Sequence, residues 1–362
     1  MKTSYKKEDV ILLLKDITGI VPFSSTRERE EKIQRGTHYS EMLPIEYKPT
    51  NEYLEMYQTA LKNYSKIVAN ATSIVSEKIY KNKGSDVVIV SLARAGTPIG
   101  ILIKEYLSKK YNLKDIKHYS ISIIRGKEID HNALKYILDR HNGKDIQFVD
   151  GWIGKGAIQK ELKKSLENYS DISPELAVLS DPANITKLCG TREDILIPSS
   201  CLNATVSGLI SRTFLKEGII GAGDFHGAVY YWQLENEDLS YDFIEEVKKY
   251  FTYDREIISG EVITDEKSLN QNNPEQKGII EVLSIAEKFQ IGDINLIKPG
   301  IGETTRVLLR RVPWKILINK KNRNDPVLLH LLRLAQEKDV AVEYYDLNNY
   351  KACGIIKEYL DI

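Results

Sequence analysis

The glycine-rich run at 148–157 (FVDGWIGKGA) has the residue types of a phosphate site. Gly154 and Gly156 allow a sharp turn with unobstructed backbone N–H groups, and the helix expected next adds free N–H groups and the positive end of its dipole. Lys155 can add a charged contact, and Asp150 can accept hydrogen bonds from a ribose diol. The alternative is a tight turn that binds nothing. The predicted phosphate cradle consists of Gly151, Gly154, Lys155, Gly156 and Ala157.

A second loop of this kind runs from Ser91 to Pro98 (SLARAGTP), again between a run of β-branched residues and a helical segment. Its backbone donors suit a pyrophosphate group, and the Arg94 guanidinium can bind two oxygens at once. One such turn is weak evidence for a ligand, but two of them after two strands of one sheet favour an anion site. The residues assigned to this loop of the site are Arg94, Ala95, Gly96 and Thr97.

A charged loop at 125–130 follows a third predicted strand. Because that strand ends at the same edge of the sheet, we expect Arg125 and Asp130 to close over the ligand or to contact an acceptor molecule. Lys127 and Glu128 lie in the same loop. The alternative is a charged loop that only faces solvent.

Cys201 offers a rival chemistry, because a cysteine protease needs a thiolate and a histidine base within hydrogen-bond reach. His226 lies in a loop of small residues, and Asn203 or Asp224 can orient its ring. A single cysteine beside apolar residues is usually a core residue. No cysteine or histidine pair has the spacing of metal ligands. A third reading places the following residues in an acceptor pocket: Cys201, Asn203, Thr205, Ser207, Ser211 and Arg212.

The elements between residues 86 and 180 alternate between strand and helix. The predicted strands are Asp86–Leu92, Ile116–Ile124, Ile146–Val149 and Leu176–Leu179, and the helices between them are Pro98–Lys109, Ala133–Arg140 and Ile158–Tyr169. This order predicts an open, mainly parallel sheet with helices on both faces and ligands at the carboxyl ends of its strands. Further along, Ile195–Pro198 is interpreted as a strand and Ala204–Leu215 as a helix.

Composition places the chain among intracellular globular proteins. It has 362 residues, of which 42% are hydrophobic, and 51 basic residues match 51 acidic ones, so no general attraction for nucleic acid is expected. Three cysteines do not make a disulfide framework and fit a reducing compartment. The N-terminus lacks the apolar run of a signal peptide, and no apolar stretch could span a bilayer. We therefore expect a cytoplasmic protein without membrane contacts.

Length and a change of composition predict two domains. The polar run Thr264–Lys277, rich in Asn and Gln, has little to bury and is interpreted as a linker. We assign residues 1–50 to an N-terminal extension, 51–262 to a first α/β domain, 263–277 to the linker and 278–362 to a second α/β domain.

The two glycine loops resemble those of the type I phosphoribosyltransferases. In that family a pattern close to Val-Asp-Asp-x-x-Thr-x-Gly-Thr binds the 5-phosphate and ribose of phosphoribosyl pyrophosphate, and Val149, Asp150, Gly156 and Ala157 fall in corresponding positions. An earlier Arg/Gly loop binds the pyrophosphate. The chain departs from the pattern at Gly151, which replaces the second acid, and at the hydroxyl positions of the loop.

This resemblance implies a reaction governed by charge. Loss of pyrophosphate leaves an oxocarbenium-like ribose, so catalysis would rest on positioning and electrostatics. The resemblance implies that Arg94 neutralises the leaving group and that Asp150 holds the ribose hydroxyls and a Mg²⁺ ion. Arg125 and Asp130 would then complete the catalytic set, with phosphoribosyl pyrophosphate or a ribonucleotide as the substrate.

A closer resemblance covers nearly the whole chain and is carried by Ser120–Asp130, Phe148–Ile158, Ile197–Thr213 and Ile297–Arg306. On these segments the chain is identified as a member of a bacterial StiP-type family, found in tellurite-resistance and stress gene neighbourhoods and labelled a cysteine protease. Membership implies a phosphoribosyltransferase-like domain followed by a small Pelota-like domain. The implied fold class is α/β, with a mainly parallel sheet flanked by helices and a small C-terminal α/β sandwich.

The C-terminal unit resembles the Pelota and L7Ae-type RNA-binding fold in the run 298–318. A glycine loop there opens a helix whose arginines can contact an RNA backbone. The residues assigned to RNA are Gly302, Arg306, Arg310 and Lys320. The alternative is that these are solvated charges on a domain that docks to the first.

The resulting expectation is a phosphoribosyltransferase-like enzyme that uses Mg²⁺ and has an unknown acceptor. One alternative is a cysteine protease that uses Cys201. Another is a nucleotide sensor without catalysis that binds RNA through its second domain. The sequence leaves the oligomeric state open, with a homodimer among the options.

Overall fold

The structure is a computed structural model that describes residues 1–46, 48–253 and 277–358. The expected fold class is confirmed: a mainly parallel sheet of six strands is flanked by helices, and a small domain with a mixed sheet follows it. We call the described residues up to 253 the first domain and residues 277–358 the second domain. The linker assigned to 263–277 lies outside the described residues, except for Lys277, which begins a helix.

The first domain has short strands near its N-terminus and longer strands that alternate with helices. Its described strands are β1 Ile11–Leu12, β2 Lys15–Asp16, β3 Phe23–Ser24, β4 Leu43–Pro44, β5 Val88–Leu92, β6 Lys117–Ile121, β7 Ile146–Trp152, β8 Ala177–Ser180, β9 Cys189–Thr191 and β10 Gly227–Ala228. Its described helices are α1 Thr26–Gln34, α2 Asn51–Lys83, α3 Gly96–Tyr111, α4 His131–Leu138, α5 Ala157–Ser165 and α6 Ser240–Lys248.

The main sheet has the strand order β1-β6-β5-β7-β8-β9, and all its pairs are parallel. Every residue of β5 is buried, as expected for a strand covered on both faces. Its side chains alternate between two cores: Ile89 packs on the side of α2, α3 and α6, whereas Val90 packs on the side of α4 and α5. Parallel pairing brings the carboxyl ends of β5, β6 and β7 to one edge.

Residues 1–50 are part of this architecture and do not extend from it. Ile11 and Leu12 add an edge strand beside β6, and Lys15 and Asp16 pair with β10. Strands of two residues leave no periodic pattern in a sequence, which explains why none was predicted here.

Two elements differ from the sequence interpretation. The helix expected at Ala204–Leu215 is only a 3-10 turn at Ala204–Val206, because Gly208 and Leu209 have φ values of +75° and +57°, which a right-handed helix cannot accommodate. Ile195–Pro198 forms no strand, and the edge position is taken by β9.

The second domain contains α7 Lys277–Phe289, β11 Ile297–Pro299, α8 Ile301–Arg310, β12 Pro313–Asn319, α9 Leu329–Glu337, β13 Ala341–Tyr345 and β14 Ala352–Ile356. Its sheet has the order β11-β14-β12-β13, with β14 antiparallel to both neighbours. Strand β14 was not predicted, although all its residues are buried. Among the described helices of both domains, none has the length and apolar character needed to cross a membrane.

The second domain is docked on the edge where β5, β6 and β7 end. Asp194 of the first domain is 6% exposed and accepts hydrogen bonds from the backbone N–H groups of Ile301 (3.0 Å) and Lys351 (2.9 Å). The Tyr350 hydroxyl donates to the Gly154 carbonyl over 2.7 Å. Helix α8 therefore lies directly across the ligand edge of the main sheet.

Candidate functional site

A cleft lies between the two domains at this edge. It consists of two adjoining cavities of about 270 and 250 Å³, which share Tyr39, Asp150 and Arg212 of the first domain with Lys298 and Arg306 of the second. Together they approach the size of sites for small organic ligands. The cleft therefore has room for a molecule of nucleotide size.

The first domain contributes four cationic side chains to the cleft: Arg94, Arg125, Lys155 and Arg212. Each lies on a different loop or strand end, so the fold brings together charges that are far apart in the chain. Arg94 and Lys155 come from the two glycine loops, and Arg125 follows β6, as the sequence predicted.

Arg212 stacks on the ring of Tyr39, with 4.5 Å between its guanidinium carbon and the ring centre. No hydrogen bond to its side chain exists among the residues that the structure describes. Burial lowers the pKa of Arg212 to about 9, and the neighbouring charges of Arg29, Arg311 and Arg94 add to the shift. Its donors are therefore free for an anion inside the cleft.

The second domain adds four more cations, Lys298 on β11 and Arg306, Arg310 and Arg311 at α8. Arg306 lies 4.3 Å over the ring of Trp152 and bonds to Glu303. Arg310 hydrogen-bonds to Asn203 of the first domain, and Arg311 makes a two-pronged pair with Glu30 at 2.6 and 2.8 Å.

Lys298 is half-buried and, within the described ranges, its ammonium group has no hydrogen bond or ion pair. Burial lowers the pKa of Lys298 to about 7, with further repulsion from Lys155 and Arg125, while Glu303 opposes the shift. This lysine thus titrates near neutral pH and gains stabilisation from any anion that enters.

Asp150 is the acid of the first glycine loop and faces the cleft. Burial raises the pKa of the Asp150 carboxyl to about 6, although Arg306 attracts its charged form. Its carboxylate accepts the N–H of Gly151 over 2.7 Å. The loop of Gly96 is pressed against it: a Cβ at Gly96 would lie 2.6 Å from the Val149 carbonyl oxygen, so only glycine fits there.

The glycine turn that was predicted to bind phosphate is shorter than the sequence suggested. Strand β7 continues through Gly151 to Trp152, and α5 begins at Ala157 without a side-chain cap. Gly156 takes the left-handed φ of +82° that makes this turn. Gly154 also lines the cleft, so the start of α5 keeps its free N–H groups at the ligand edge.

Lys155 lines the cleft but its ammonium group points to the second domain. It donates to the carbonyl oxygens of Ile294 and Ile297, the latter over 3.0 Å. Burial lowers the pKa of Lys155 to about 8, and the charge of Arg125 adds to the effect. In this arrangement Lys155 ties the domains together and does not face a phosphate directly.

Some residues of the Arg94 loop line the cleft, and others are buried in the core. Arg94 is 7% exposed, bonds to Glu46 (2.9 Å) and to the Ile210 carbonyl (2.5 Å), and its Nε has no partner among the described residues. Ala95 lines the cleft beside it. Thr97 is instead buried, and its hydroxyl forms a hydrogen bond with the Ser120 hydroxyl, so it stabilises the loop from the core side.

Asp130 does not reach the cleft, contrary to expectation. It is 1% exposed, caps the start of α4 through the N–H of Ala133 (3.0 Å) and accepts the N–H of His226 (2.6 Å). The His226 ring bonds to Ser122 over 2.9 Å, and burial lowers its pKa. Both residues therefore hold two chain segments together.

Cys201 lies in the core of the first domain and is 0% exposed. Burial raises the pKa of its thiol to about 12, and its carbonyl accepts the hydroxyl of Tyr53 over 2.8 Å. Cys189 and Cys353 are buried as well. In the described part of the chain, none of these thiols is hydrogen-bonded to a histidine, so no cysteine–histidine pair is assembled.

The residues assigned to RNA divide into two groups. Arg306 and Arg310 face the cleft, and Gly302 packs so closely on Trp152 that an added Cβ would lie 2.5 Å from its ring. Lys320 is exposed and pairs with Asp346 over 2.8 Å. The first domain thus covers most of the predicted RNA surface.

Several cleft residues were not predicted: Tyr39, Trp152, Lys298, Glu303 and Arg311. Arg212 was considered only for an acceptor pocket. The one available signal was the position of Lys298 and Glu303 beside the glycine loop of the second domain. That this loop faces the first domain cannot be read from either segment alone.

Binding of Mg²⁺ stays a prediction, and it depends on a phosphate group that supplies further oxygen ligands. Asp150 and Glu303 are the acids among the described lining residues, and cations surround both. The described residues contain no group of three or more His, Cys, Asp or Glu side chains placed for a metal. Mg²⁺ takes oxygen ligands and often binds through one or two carboxylates plus phosphates, so these residues fit the ion only together with a phosphorylated ligand.

Comparisons with known proteins agree with the resemblance drawn from the sequence. The family described as tellurite-like stress resistance cysteine protease StiP matches residues 3–248, and the PELOTA RNA binding domain matches residues 276–358. The chain is 35% identical to the "Cysteine protease StiP" of Acinetobacter baylyi, over 98% of this chain and 94% of that protein.

These comparisons correct the expected activity. The chain was expected to be a phosphoribosyltransferase, a glycosyltransferase-class enzyme, but both the family and the relative carry the name of a cysteine protease. The transferase expectation is therefore wrong, while the family assignment is confirmed. The chain belongs to the StiP family and carries a Pelota RNA-binding domain in its C-terminal part.

Proposed function

We propose that the cleft between the domains binds a phosphorylated ligand of nucleotide size and that the Pelota domain binds RNA. The observation that carries the first part is the charge of the cleft. Four cations from each domain line it, although the ammonium group of Lys155 is turned to two carbonyls of the second domain, and Asp150 and Glu303 are the acids among its described lining residues. Such a site has a strong potential for anions.

The partners of these cations leave much of the charge unbalanced. Glu46 pairs with Arg94, Glu30 with Arg311 and Glu303 with Arg306. Arg212 and Lys298, one from each domain, have no such partner in the described structure. A ligand with two or more negative charges would supply the missing counter-charge.

A nucleotide is favoured over inorganic phosphate by shape and by the aromatic residues. The two cavities are larger than one phosphate requires. Tyr39 and Trp152 line the first of them, together with arginines that stack on their rings. Guanidinium planes and aromatic rings are the surfaces on which proteins stack nucleobases. The free N–H groups at the start of α5 suit a phosphate at one end.

Calorimetric titration tests this proposal with adenosine 5′-diphosphate, inorganic pyrophosphate and adenosine, each with and without Mg²⁺. We expect saturable binding of the diphosphate, weaker binding of pyrophosphate and none of adenosine. Equal binding of the two anions would restrict the site to phosphate, and no binding of either would refute the proposal. Anisotropy of a labelled single-stranded RNA measures the second part independently.

Peptide hydrolysis is a second candidate function, and the name of the family favours it. Cys201 is the candidate nucleophile. Its burial and raised pKa keep the thiol protonated at neutral pH. Hydrolysis would therefore require a rearrangement that exposes Cys201 and brings a base to it.

Cysteine replacements test this candidate. If Cys201 is the nucleophile, Cys201→Ala should lower casein hydrolysis by about a thousandfold or more. Cys189→Ala and Cys353→Ala are matched controls, because both remove a buried thiol, and they should keep the activity. Hydrolysis that survives in Cys201→Ala, or a wild-type chain without hydrolysis, would exclude Cys201 as a protease nucleophile.

A further inference from the structure

Helix α8 is packed against the first domain and is not open to a chain of nucleotides. Leu308 of α8 belongs to the same apolar core as Leu61 of α2 and Val149 of β7, so one continuous core joins the two domains. Arg310, at the end of α8, hydrogen-bonds to Asn203 of the first domain. Because the domains are joined in this way, RNA that binds the second domain needs a surface other than α8.

The far edge of the second domain carries exposed aromatic residues. Strand β13 is the last strand in the order β11-β14-β12-β13, so it lies three strands away from Lys298, the cleft residue on β11. Trp314 on β12 is exposed, and so are Val342 and Tyr344 on β13. The two rings therefore present flat apolar faces to solvent on the side of the sheet that is remote from the cleft.

A cation is stacked on each of these two rings. The Arg323 guanidinium carbon lies 4.8 Å from the centre of the Tyr344 ring, and the Lys315 Nζ lies 4.4 Å from the centre of the Trp314 ring. Tyr344 pairs with Ile318 in the parallel ladder of β12 and β13, four residues beyond Trp314. Because a parallel strand rises about 3.3 Å per residue, the two rings are offset by roughly 13 Å along the strands. We call Trp314, Lys315, Arg323 and Tyr344 the stacking surface.

Positive charge is in excess around the stacking surface. Lys320, Lys321 and Arg323 follow the end of β12, and all three are exposed. Asp346 pairs with Lys320 over 2.8 Å, and Glu343 pairs over 2.9 Å with the lysine of the stacking surface. Lys321 and Arg323 have no ion pair among the residues that the structure describes. An edge strand also suits pairing with a protein strand, but stacked cations and surplus positive charge favour a nucleic acid.

We infer that single-stranded RNA binds the stacking surface while α8 stays docked on the first domain. Its bases stack on the Trp314 ring and on the pair of Arg323 and Tyr344, and Lys321 contacts its phosphates. This inference rests on the proposed function and names the surface of the Pelota domain that receives RNA. It implies two separate sites, the cleft for a small phosphorylated ligand and the far edge of the sheet for RNA.

Anisotropy of a labelled oligouridylate, titrated with the full chain, tests this inference. Trp314→Ala and Tyr344→Ala should each weaken binding by about 5- to 100-fold, the usual effect of losing one ring that stacks on a base. Tyr344→Phe keeps the ring and should keep the affinity. Arg323→Ala should weaken binding and also make its salt dependence less steep, because fewer counterions are released. Thermal unfolding at the wild-type temperature shows that each variant is folded.

Two variants of the first domain are matched controls. Trp232→Ala removes another exposed tryptophan, and Arg140→Ala removes another guanidinium that stacks on a tyrosine. Both should leave the affinity for oligouridylate unchanged. Saturating adenosine 5′-diphosphate should also leave it unchanged, because the cleft is a separate site.

Three results would contradict the inference in different ways. Oligouridylate binding that survives in both Trp314→Ala and Tyr344→Ala, or that the diphosphate abolishes, would overturn the stacking surface but keep RNA binding by the chain. Variants that change the oligomeric state in sedimentation, and leave RNA affinity intact, would make this edge a protein contact. A wild-type chain that binds no RNA refutes the RNA part of the proposed function itself.

Discussion

Replacing Arg212 with alanine is expected to lower the affinity for adenosine 5′-diphosphate by about 10- to 100-fold. The side chain lines the cleft, is held against Tyr39 and has no hydrogen-bond partner in the described structure, so its donors are available to a ligand. Hydrogen bonds to charged groups are worth about 1.5–3 kcal/mol, which corresponds to a loss of this size. Calorimetric titration at constant ionic strength measures it.

Two further variants make this test specific. Arg140 also stacks on a tyrosine, with 3.6 Å between its guanidinium carbon and the ring of Tyr136, but it lies outside the cleft. Arg140→Ala should therefore leave the affinity unchanged. Arg212→Lys should recover part of it, because the charge returns without the fork of donors. Equal binding by Arg212→Ala and wild type would show that the anion site lies elsewhere.

The part of the site that could be predicted is the part that lies within one element. Arg94 follows the buried strand β5 and Asp150 lies near the carboxyl end of β7, and parallel strands of one sheet end at a common edge. The loop sequences therefore predicted that both residues lie at one edge of the sheet, and both line the cleft there. Gly96 and Gly156 also have conformational or packing reasons to be glycine, which supports the predicted turns.

The part that could not be predicted lies where distant segments meet. Lys298 and Arg306 belong to the second domain, and no pattern in their own helix or strand shows that they face the first. Their local sequence suggested an RNA surface, whereas the docking of the second domain on the first turns them into the cleft. A contact between residues more than a hundred positions apart leaves no periodic signal.

The structure places two residues that were candidates for catalysis outside the cleft, and the physical reason is different. Asp130 and His226 are polar residues next to strand or loop ends, which is where both catalytic groups and structural caps occur. Asp130 is a helix N-cap that also binds the His226 N–H, and this role needs a carboxylate as much as catalysis does. Residue type and position alone cannot separate the two roles.

The expected activity was wrong because a resemblance confined to two loops is weaker evidence for a reaction than a family match over most of the chain. The two glycine loops resemble those of phosphoribosyltransferases, but Gly151 replaces the second acid of that pattern. A shared fold and a shared phosphate loop do not define a reaction. The positive charge of the cleft does not depend on which reaction, if any, the chain catalyses.

Affinity for an anion in the cleft is expected to rise as the pH falls from about 8 to about 6. The pKa of Lys298 is lowered to about 7, so the lysine loses its charge above that value, and a bound anion favours the protonated form. The pKa of Asp150 is raised to about 6, so its repulsive charge begins to disappear at the lower end of the range. Both effects have the same sign and should give about a tenfold gain over this range.

Sulfate is the better probe for this prediction, because its charge stays constant over the range whereas a terminal phosphate is itself protonated. Lys298→Met should reduce the dependence above about pH 7 and leave the part that Lys155 contributes through its own pKa of about 8. Asp150→Asn should remove the part near pH 6 while strengthening binding at neutral pH. Arg140→Ala again provides the comparison outside the cleft. Affinity that is independent of pH in the wild type, or that falls on acidification, would mean that Lys298 and Asp150 do not face the bound anion.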